Sequence, residues 1–300
     1  SKKKYKKFSS MSEKDIIDFF HNIILKQLKL MIPNVKFGSI CSGGIDSSLQ
    51  TAMINSLKKN FIAGTLHHHK KDKITENLNE FEMKLKKKIF KLNVSVKKNK
   101  KIVSKCTKDI GIPYLTHDFI GRYQISNFFK RKRCKVFFVG DGADELFGGY
   151  ELYRKIKWQN FNKKNLSPYS NFVNKRYIVQ KFDDLESKMK NFYLKVSKKY
   201  KFLKKTERNI QSSLFTDYFL SAISVYNIGN DLVCCNHAIE PRNVFIQKEI
   251  LKNIINLPAK YKINKNNNNL FQLKPILKKI FLKYYSKDLI FEKQGFSGYP

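Results

Sequence analysis

The stretch Val35-Lys-Phe-Gly-Ser-Ile-Cys-Ser-Gly-Gly-Ile-Asp-Ser-Ser48 indicates how this chain begins its fold. An apolar strand pattern leads into a short loop, and an apolar helical pattern follows directly. Two glycines let the backbone approach an oxyanion, and the new helix points its free N–H groups at the same place. Ser42 and Ser47 add hydroxyl donors, and Asp46 supplies a carboxylate that can hold Mg²⁺. The stretch therefore predicts a loop that binds phosphate.

The loop has the sequence Ser-Gly-Gly-Ile-Asp-Ser over residues 42–47. It lacks both the spacing and the lysine of the P-loop found in proteins that transfer a γ-phosphate. After a strand, such a loop resembles the pyrophosphate loop of ATP pyrophosphatases, which split ATP into AMP and pyrophosphate. The alternative is a glycine-rich turn from strand to helix, in which an Asp or Ser side chain caps the helix.

A second glycine-rich motif, Asp141-Gly-Ala-Asp-Glu-Leu-Phe-Gly-Gly-Tyr150, follows the apolar strand pattern of residues 135–140. Together the two motifs resemble the synthetase domain of asparagine synthetase, whose patterns read SGGxDSS and G(E/D)G(A/S/G)DExFGGY. Three later matches follow in the family's order: the nine-residue spacing from Asp231 to Glu240, Glu240–Phe245 for E-x-R-x-P-F, and Lys293–Ser297 for K-x-x-F-S.

The resemblance implies ATP and Mg²⁺ as cofactors and assigns roles to particular side chains. Asp46 and Asp144 match carboxylates that hold Mg²⁺, and Asp144 also matches a position near the substrate ammonium group. Asp141 matches a residue of the acyl-adenylate step that can accept the proton of ammonia, and its alternative is a turn residue that caps the next helix. Lys293 matches a lysine that contacts phosphate, and its alternative is a solvated surface lysine.

The resemblance also predicts which residues line the nucleotide site. Adenine is expected against the backbone of Cys41, Ala63, Val139 and Gly140, with Cys41 packed rather than nucleophilic. Glu240 and Arg242 match a corner that either shapes the substrate site or forms a structural ion pair. The full set expected to bind ATP and pyrophosphate is Cys41, Ser42, Gly43, Gly44, Asp46, Ser47, Ala63, Val139, Gly140 and Lys293.

Strand and helix patterns alternate along residues 12–150, which predicts a parallel sheet with its ligands at the carboxyl ends of the strands. Strands are expected at residues 61–66 and 92–96, and helices at 12–33, 74–89 and 103–110. Residues 151–300 read as mainly helical. The predicted class is α/β, with a Rossmann-like parallel sheet of the adenine nucleotide α-hydrolase or PP-loop type and a helical C-terminal part. Residues 1–11 are expected to be a basic tail, and residues 12–300 one synthetase-like domain.

Composition excludes several other classes of protein. The 300 residues are 42% hydrophobic, which suits one large α/β domain, and no stretch is long and apolar enough to predict a membrane span, so a cytoplasmic location is expected. The five cysteines show no CxxC spacing, so free and mostly buried thiols are expected. The formal net charge is +36, but the lysines are spread along the chain, so solvated surface is favoured over a nucleic-acid partner.

The expected partners follow from the resemblance. Complete asparagine synthetases have an N-terminal glutaminase domain, whereas this chain starts at Ser1 with a lysine-rich segment, so a fragment of a longer protein is expected. The expected substrates are aspartate and ammonia, with the ammonia coming from a glutaminase domain or subunit outside this chain. The pattern is compatible with a homodimer.

Three other functions stay open. The corner at residues 243–247 departs from the family's V-P-F-L-D, so the acceptor could be another carboxylate, as in sugar amidotransferases or β-lactam-forming relatives. A PP-loop enzyme that modifies tRNA shares the first motif but not the second. A scaffold that binds nucleotide without turnover is disfavoured by the joint presence of Ser42, Asp46, Asp141 and Asp144.

The triplet His67–His69 is read as a polar loop rather than a metal site, and His237 as a structural histidine.

Overall fold

The computed structural model describes residues 1–67, 73–94, 96–111, 117–151, 153, 182–264 and 272–290. The chain divides into two compact units, and each unit is assembled from three segments. The first unit takes residues 1–18, 142–225 and 248–276, and the second takes residues 19–141, 226–247 and 277–300. Because the segments interleave, this division differs from the expected one, in which a sheet core ends at residue 150.

The helices of the described residues are numbered in chain order. They are α1 Lys2–Ser10, α2 Glu13–Met31, α3 Ile45–Ser56, α4 Lys73–Leu85, α5 Val96–Ile110, α6 His117–Arg131, α7 Ala143–Phe147, α8 Phe182–Lys199, α9 Lys205–Asp217, α10 Ile228–Asn236, α11 Lys248–Ile254 and α12 Pro275–Phe281. A π-helical segment spans Tyr218–Asn227, and short 3-10 turns span Ala259–Tyr261 and Lys287–Leu289. None of the described helices is both long and apolar enough to cross a membrane.

The second unit is built on a parallel sheet of five strands. They are β1 Phe37–Ile40, β2 Ile62–His67, β3 Ile89–Asn93, β4 Val136–Val139 and β5 Glu240–Asn243. The strands lie side by side in the order β3-β2-β1-β4-β5, and every neighbouring pair is parallel. This arrangement confirms the predicted α/β class with a Rossmann-like sheet.

The central strands form because their side chains are buried on both faces of the sheet. All four residues of β1 and all four of β4 are buried, as expected for a parallel sheet with helices packed on either side. Helix α6 supplies a large part of the packing. One apolar cluster of this unit contains Ile40, Leu66, Val94, Ile125, Phe128, Phe129, Cys134, Phe137, Val139, Cys234 and Ile239.

The predicted boundary between α4 and β3 was wrong. The helix expected to run to residue 89 ends at Leu85, and the strand expected at residues 92–96 begins at Ile89. Lys86 takes a left-handed conformation with φ 51°, which stops the helix. Ile89 then pairs with Ala63 at the start of β3, and Ile89 is the buried residue of this strand.

Strand β5 was not predicted, because Glu-Pro-Arg-Asn has low β propensity. It pairs with β4 in register from Val136 with Glu240 to Val139 with Asn243. Its place at the edge of the sheet explains how Pro241 is tolerated, since a proline cannot donate a ladder hydrogen bond.

The first unit is mainly helical. Its apolar cluster contains Tyr153, Ile210, Leu214, Ala259 and Ile263. Residues 1–11, expected to be a basic tail, contain helix α1, whose Phe8 is buried. The predicted start of α2 at Ser12 is confirmed, because the Ser12 hydroxyl accepts a hydrogen bond from the backbone N–H of Asp15 at 3.1 Å.

Candidate functional site

The loop after β1 and the residues Gly140 and Asp141 after β4 begin at the topological switch point of the sheet. Strand β1 pairs with β2 on one side and with β4 on the other, and the chain leaves β1 and β4 towards opposite halves of the sheet. In open parallel sheets, the crevice beyond the carboxyl ends of two such strands is where ligands bind. The loop that begins at Cys41 follows β1, and Gly140 and Asp141 follow β4, as the sequence predicted.

The loop after β1 is closed by its own serine hydroxyls. Gly43 has φ +85°, a conformation that glycine adopts without strain. The backbone N–H of Ser42 donates to Ser47 Oγ at 3.0 Å, and Ser47 Oγ donates to the Gly44 carbonyl at 3.1 Å. Helix α3 begins at the next residue. Because its N-cap is glycine, no capping side chain competes with an anion for the N–H groups of the first turn.

Gly140 lies directly against this loop. A Cβ placed on Gly140 would be 3.3 Å from the Cβ of Asp46 and 3.5 Å from the backbone nitrogen of Ser47. The end of β4 therefore touches the first turn of α3, and a side chain at residue 140 would begin to fill the space. The polar groups of this loop are backbone N–H groups and two hydroxyls, which can donate hydrogen bonds, and one carboxylate, which can hold a cation. These groups fit phosphate oxygens and a hard cation such as Mg²⁺.

The residues expected near adenine do not all lie at the carboxyl ends of the strands. Val139 ends β4, and Cys41 directly follows β1, so both are at the carboxyl edge. Ala63 is only the second residue of β2 and pairs with Ser39, inside the sheet. The carboxyl end of β2 is formed by Leu66 and His67 instead. A contact between Ala63 and adenine stays a prediction.

Cys41 is a packing residue, in agreement with the prediction. It is fully buried, and this burial raises the pKa of its thiol to about 12. A thiol with so high a pKa supplies almost no thiolate near neutral pH, so it is a poor nucleophile. All five cysteines are free, and four of them are buried, which confirms the expected thiol state.

Asp141 is held by two side chains that the sequence reasoning missed. Arg122 Nη1 donates to Asp141 Oδ2 at 2.7 Å, and Arg122 Nη2 donates to Oδ1 at 3.0 Å. Asn230 Nδ2 donates to Oδ2 at 2.6 Å. No helix was predicted over His117–Arg131, and a chain with 60 basic residues gave no reason to single out Arg122.

Asp144 belongs to the first unit, where it forms an ion pair with Lys274. The ammonium nitrogen of Lys274 lies 2.6 Å from Asp144 Oδ1, and the lysine side chain is buried. Gly149 makes this arrangement possible. A Cβ at Gly149 would lie 1.8 Å from Asp144 Oδ1 and 2.0 Å from Lys274 Cε. Lys274 was not predicted, because nothing in the sequence distinguishes it from the other lysines.

The rest of the second motif builds the short helix α7 that bears Asp144. Gly148 ends the helix with φ +75°, and its N–H donates to the Asp144 carbonyl at 3.0 Å. Glu145 is buried and accepts a hydrogen bond from the Tyr150 hydroxyl at 2.7 Å. The glycines and the tyrosine of the motif therefore have structural roles within this unit.

The geometry at Glu240 and Arg242 favours the structural ion pair that the sequence left open. Arg242 donates to both carboxylate oxygens of Glu240, at 2.8 and 3.1 Å, and also to the Met31 carbonyl. Glu240 pairs with Val136 at the amino end of the strands, whereas the phosphate loop follows their carboxyl ends. A role for this pair in shaping the substrate site stays a prediction.

Several predicted residues lie outside the described part of the chain. They are Lys293, His68, His69 and the asparagine tract at residues 266–269. His67 ends β2, and its Nδ1 lies 3.5 Å from the Thr75 hydroxyl. His237 is buried, its Nδ1 lies 2.6 Å from the Ser126 hydroxyl, and burial lowers its pKa to about 4, all of which suits a structural histidine. Within the described ranges, no group of three or more His, Cys, Asp or Glu side chains could hold a metal ion.

Comparison with known proteins identifies the family. The profile of the family described as asparagine synthase matches residues 28–298. A protein of Methanocaldococcus jannaschii named "Putative asparagine synthetase (glutamine-hydrolyzing) 1" is 32% identical over 139 residues, which are 45% of this chain and 24% of that protein. The match thus spans about a quarter of the relative's length. Because the family profile covers the whole sheet and both glycine-rich motifs, this chain belongs to the asparagine synthase family.

Proposed function

We propose that this chain is an ATP-dependent ligase that forms the side-chain amide of asparagine. In the first step, the side-chain carboxylate of aspartate attacks the α-phosphorus of ATP, and pyrophosphate leaves. In the second step, ammonia attacks the acyl carbon of β-aspartyl-AMP, AMP leaves, and the surplus proton passes to a base. The family supports ATP-dependent amide formation, and the choice of aspartate and ammonia belongs to the proposal.

The observation that best supports the proposal is the contact between Gly140 and the first turn of α3. It brings the end of the second motif's strand against Asp46 and Ser47 at the switch point of the sheet. The loop of residues 42–47 offers N–H groups and hydroxyls to the leaving pyrophosphate. Catalysis at phosphorus depends mostly on such positioning and on electrostatic stabilisation of the developing charge.

The proposal includes Mg²⁺, for which Asp46 and Asp144 are the carboxylates with the right chemistry. When bound, Mg²⁺ would neutralise charge on the phosphate oxygens. Two carboxylates are enough, because Mg²⁺ usually takes one or two from the protein and its other ligands from phosphates and water. Asp46 belongs to the second unit and Asp144 to the first, so their assignment to one ion rests on the family's motifs.

The remaining roles are proposals of the same kind. Asp141 is assigned to the acyl-adenylate step and as the acceptor of the proton from ammonia. Lys293 is assigned to a phosphate. The nitrogen is proposed to come from free ammonia or from a glutaminase domain or subunit outside this chain, and a homodimer is compatible with this arrangement.

One observation favours a second candidate, a ligase of the same family that acts on a different carboxylate or on a sugar acceptor. The corner after β5, at residues 243–247, departs from the family pattern. Hydrogen bonds of its own side-chain amides hold it together. Asn243 Oδ1 accepts from the backbone N–H of Phe245 at 3.2 Å, and Gln247 Nε2 donates to the Asn243 carbonyl at 3.0 Å. The family's proline and acidic residue are replaced in this corner, so the acceptor could differ.

The test is a pyrophosphate-release assay across a panel of carboxylates, with ammonia or glutamine as the nitrogen source. We expect release with aspartate and ammonia, and ¹⁸O from labelled aspartate in the AMP. Glutamine should not replace ammonia unless a glutaminase is added. Release with another carboxylate alone would support the second candidate. Release of AMP that depends on tRNA and on no carboxylate would reject both.

A further inference from the structure

Arg122 is a buried cation of the second unit. It lies on α6, next to the buried residues Ile120 and Tyr123, and its own side chain is only 9% exposed. A buried charge is costly unless it is paired and hydrogen-bonded. Its counter-ion is Asp141, whose side chain is 20% exposed. The pair thus places a buried arginine behind a carboxylate that still reaches solvent.

The contact between these two side chains fixes an orientation as well as a charge. The guanidinium meets the carboxylate edge to edge, through bonds of 2.7 and 3.0 Å to its two oxygens. Such a paired contact restrains the plane of a carboxylate, which a single bond from lysine would leave free to turn. Asp141 has one residue, Gly140, between itself and the end of β4, so its backbone is also anchored.

The arginine is itself held in place by two residues close to the start of α10. Asn230 bridges the pair: its amide nitrogen donates to Asp141 Oδ2 at 2.6 Å, and its amide oxygen accepts from Arg122 Nη1. The ring of Tyr226, in the π-helical segment before α10, lies over the guanidinium, with 5.4 Å from Arg122 Cζ to the ring centroid. Side chains from three separate elements therefore hold one carboxylate and its counter-ion.

We infer that Arg122 is a positioning residue for amide formation, which it serves by holding Asp141 in one orientation beside the phosphate loop. The inference rests on the proposed function. Gly140, directly before Asp141, touches the backbone of the loop, so a turn of the Asp141 side chain moves a charge near the phosphates. Arg122 also balances the charge of Asp141, which would otherwise repel an anionic nucleotide. Asn230 supports the same orientation.

The test is a double-mutant cycle between Arg122 and Asp141 in the 300-residue chain. The quantity measured for each variant is the rate of aspartate-dependent pyrophosphate release. We expect Arg122→Ala to lower kcat by about 100-fold, the loss that a small misplacement of a reacting group causes, with KM for ATP within about threefold of wild type. In Asp141→Asn, adding Arg122→Ala should cost almost nothing more, because Arg122 acts through the lost carboxylate. Guanidinium ion should restore part of the activity to Arg122→Ala and none to the double variant.

The matched control is Arg131→Ala, which removes an exposed arginine from the same helix and should leave kcat unchanged. If Arg122→Ala does not fold, Arg122→Lys and Asn230→Ala take its place, and each should lower kcat while keeping the wild-type melting temperature within a few degrees. Independent, multiplicative losses in the cycle would overturn the inference, as would wild-type kcat in Arg122→Ala. A wild-type chain that releases no pyrophosphate with any carboxylate would reject the proposed function and this inference together.

Discussion

The ammonium nitrogen of Lys274 lies 2.6 Å from Oδ1 of Asp144, and Gly149 leaves just enough room for both. The lysine side chain is only 4% exposed, while that of Asp144 is 21% exposed. Lys274 also takes a left-handed conformation with φ 51°, directly before Pro275. The first unit thus keeps a strained, buried lysine as the partner of a carboxylate in the second motif.

Replacing Lys274 with methionine should weaken both folding and activity. The change leaves Asp144 without its buried cation, which we expect to cost about 3 kcal/mol of unfolding free energy, the low end of the range for a broken buried pair. Pyrophosphate release should fall as well, because the carboxylate loses a fixed orientation. Urea unfolding and the release assay measure the two effects. Lys248→Met, at an exposed position, is the control, and equal stability of the two variants would contradict the prediction.

Gly149→Ala should abolish activity through a clash. The new methyl group would lie 1.8 Å from Asp144 Oδ1, so the carboxylate and Lys274 must both move. Gly111→Ala is the matched control, because Gly111 has φ +74° and, among the residues that the structure describes, no heavy atom lies within 4 Å of the added Cβ. The control should lose only about 1 kcal/mol of stability, from backbone strain, and keep its kcat. Similar kcat in both variants would show that the packing around Asp144 does not matter for turnover.

Asp46→Asn should abolish pyrophosphate release at every Mg²⁺ concentration. The amide removes one negative charge from the first turn of α3, where the proposal places a ligand of the metal. The fold should persist, since the amide has nearly the shape of the carboxylate. The measurement is turnover over a Mg²⁺ titration, with Asp288→Asn as an exposed control. Turnover retained by the Asp46 variant would mean that other residues bind the metal.

The stability of the wild-type chain should rise with pH between about 7 and 10.5 because of Lys262. Burial lowers the pKa of this lysine from 10.5 to about 7, and its ammonium group donates to Gln211 Oε1 at 2.6 Å. In this window the unfolded chain binds the proton and the folded chain does not, so raising the pH favours folding, by at most about 1.4 kcal/mol per pH unit. Below pH 7 both states are protonated and the effect disappears.

The check on Lys262 is urea unfolding at pH 6, 7, 8 and 9 for wild type and Lys262→Met. The difference in unfolding free energy between the two proteins should stay constant from pH 6 to 7. Above pH 7 the wild type should gain stability relative to Lys262→Met. Comparing the slopes removes the contributions of groups that titrate in both proteins. A difference that does not change with pH would show that the buried lysine keeps its proton throughout.

The order of secondary structure was readable from the sequence where local patterns and tertiary packing agree. Apolar runs before Cys41 and Asp141 became β1 and β4, and the Ser12 cap started α2. The pattern failed at β5, whose Glu-Pro-Arg-Asn sequence forms a strand only because β4 offers it an edge to pair with.

The sequence by itself determined the family and the parallel sheet, because these depend on residue types at short fixed spacings. Only the tertiary structure decided which cations serve Asp141 and Asp144. Arg122 and Lys274 lie 19 and 130 positions from their partners, and one sequence with 60 basic residues gives no way to choose among them. Burial makes the choice, because a cation that folding removes from water must meet a carboxylate in the same place.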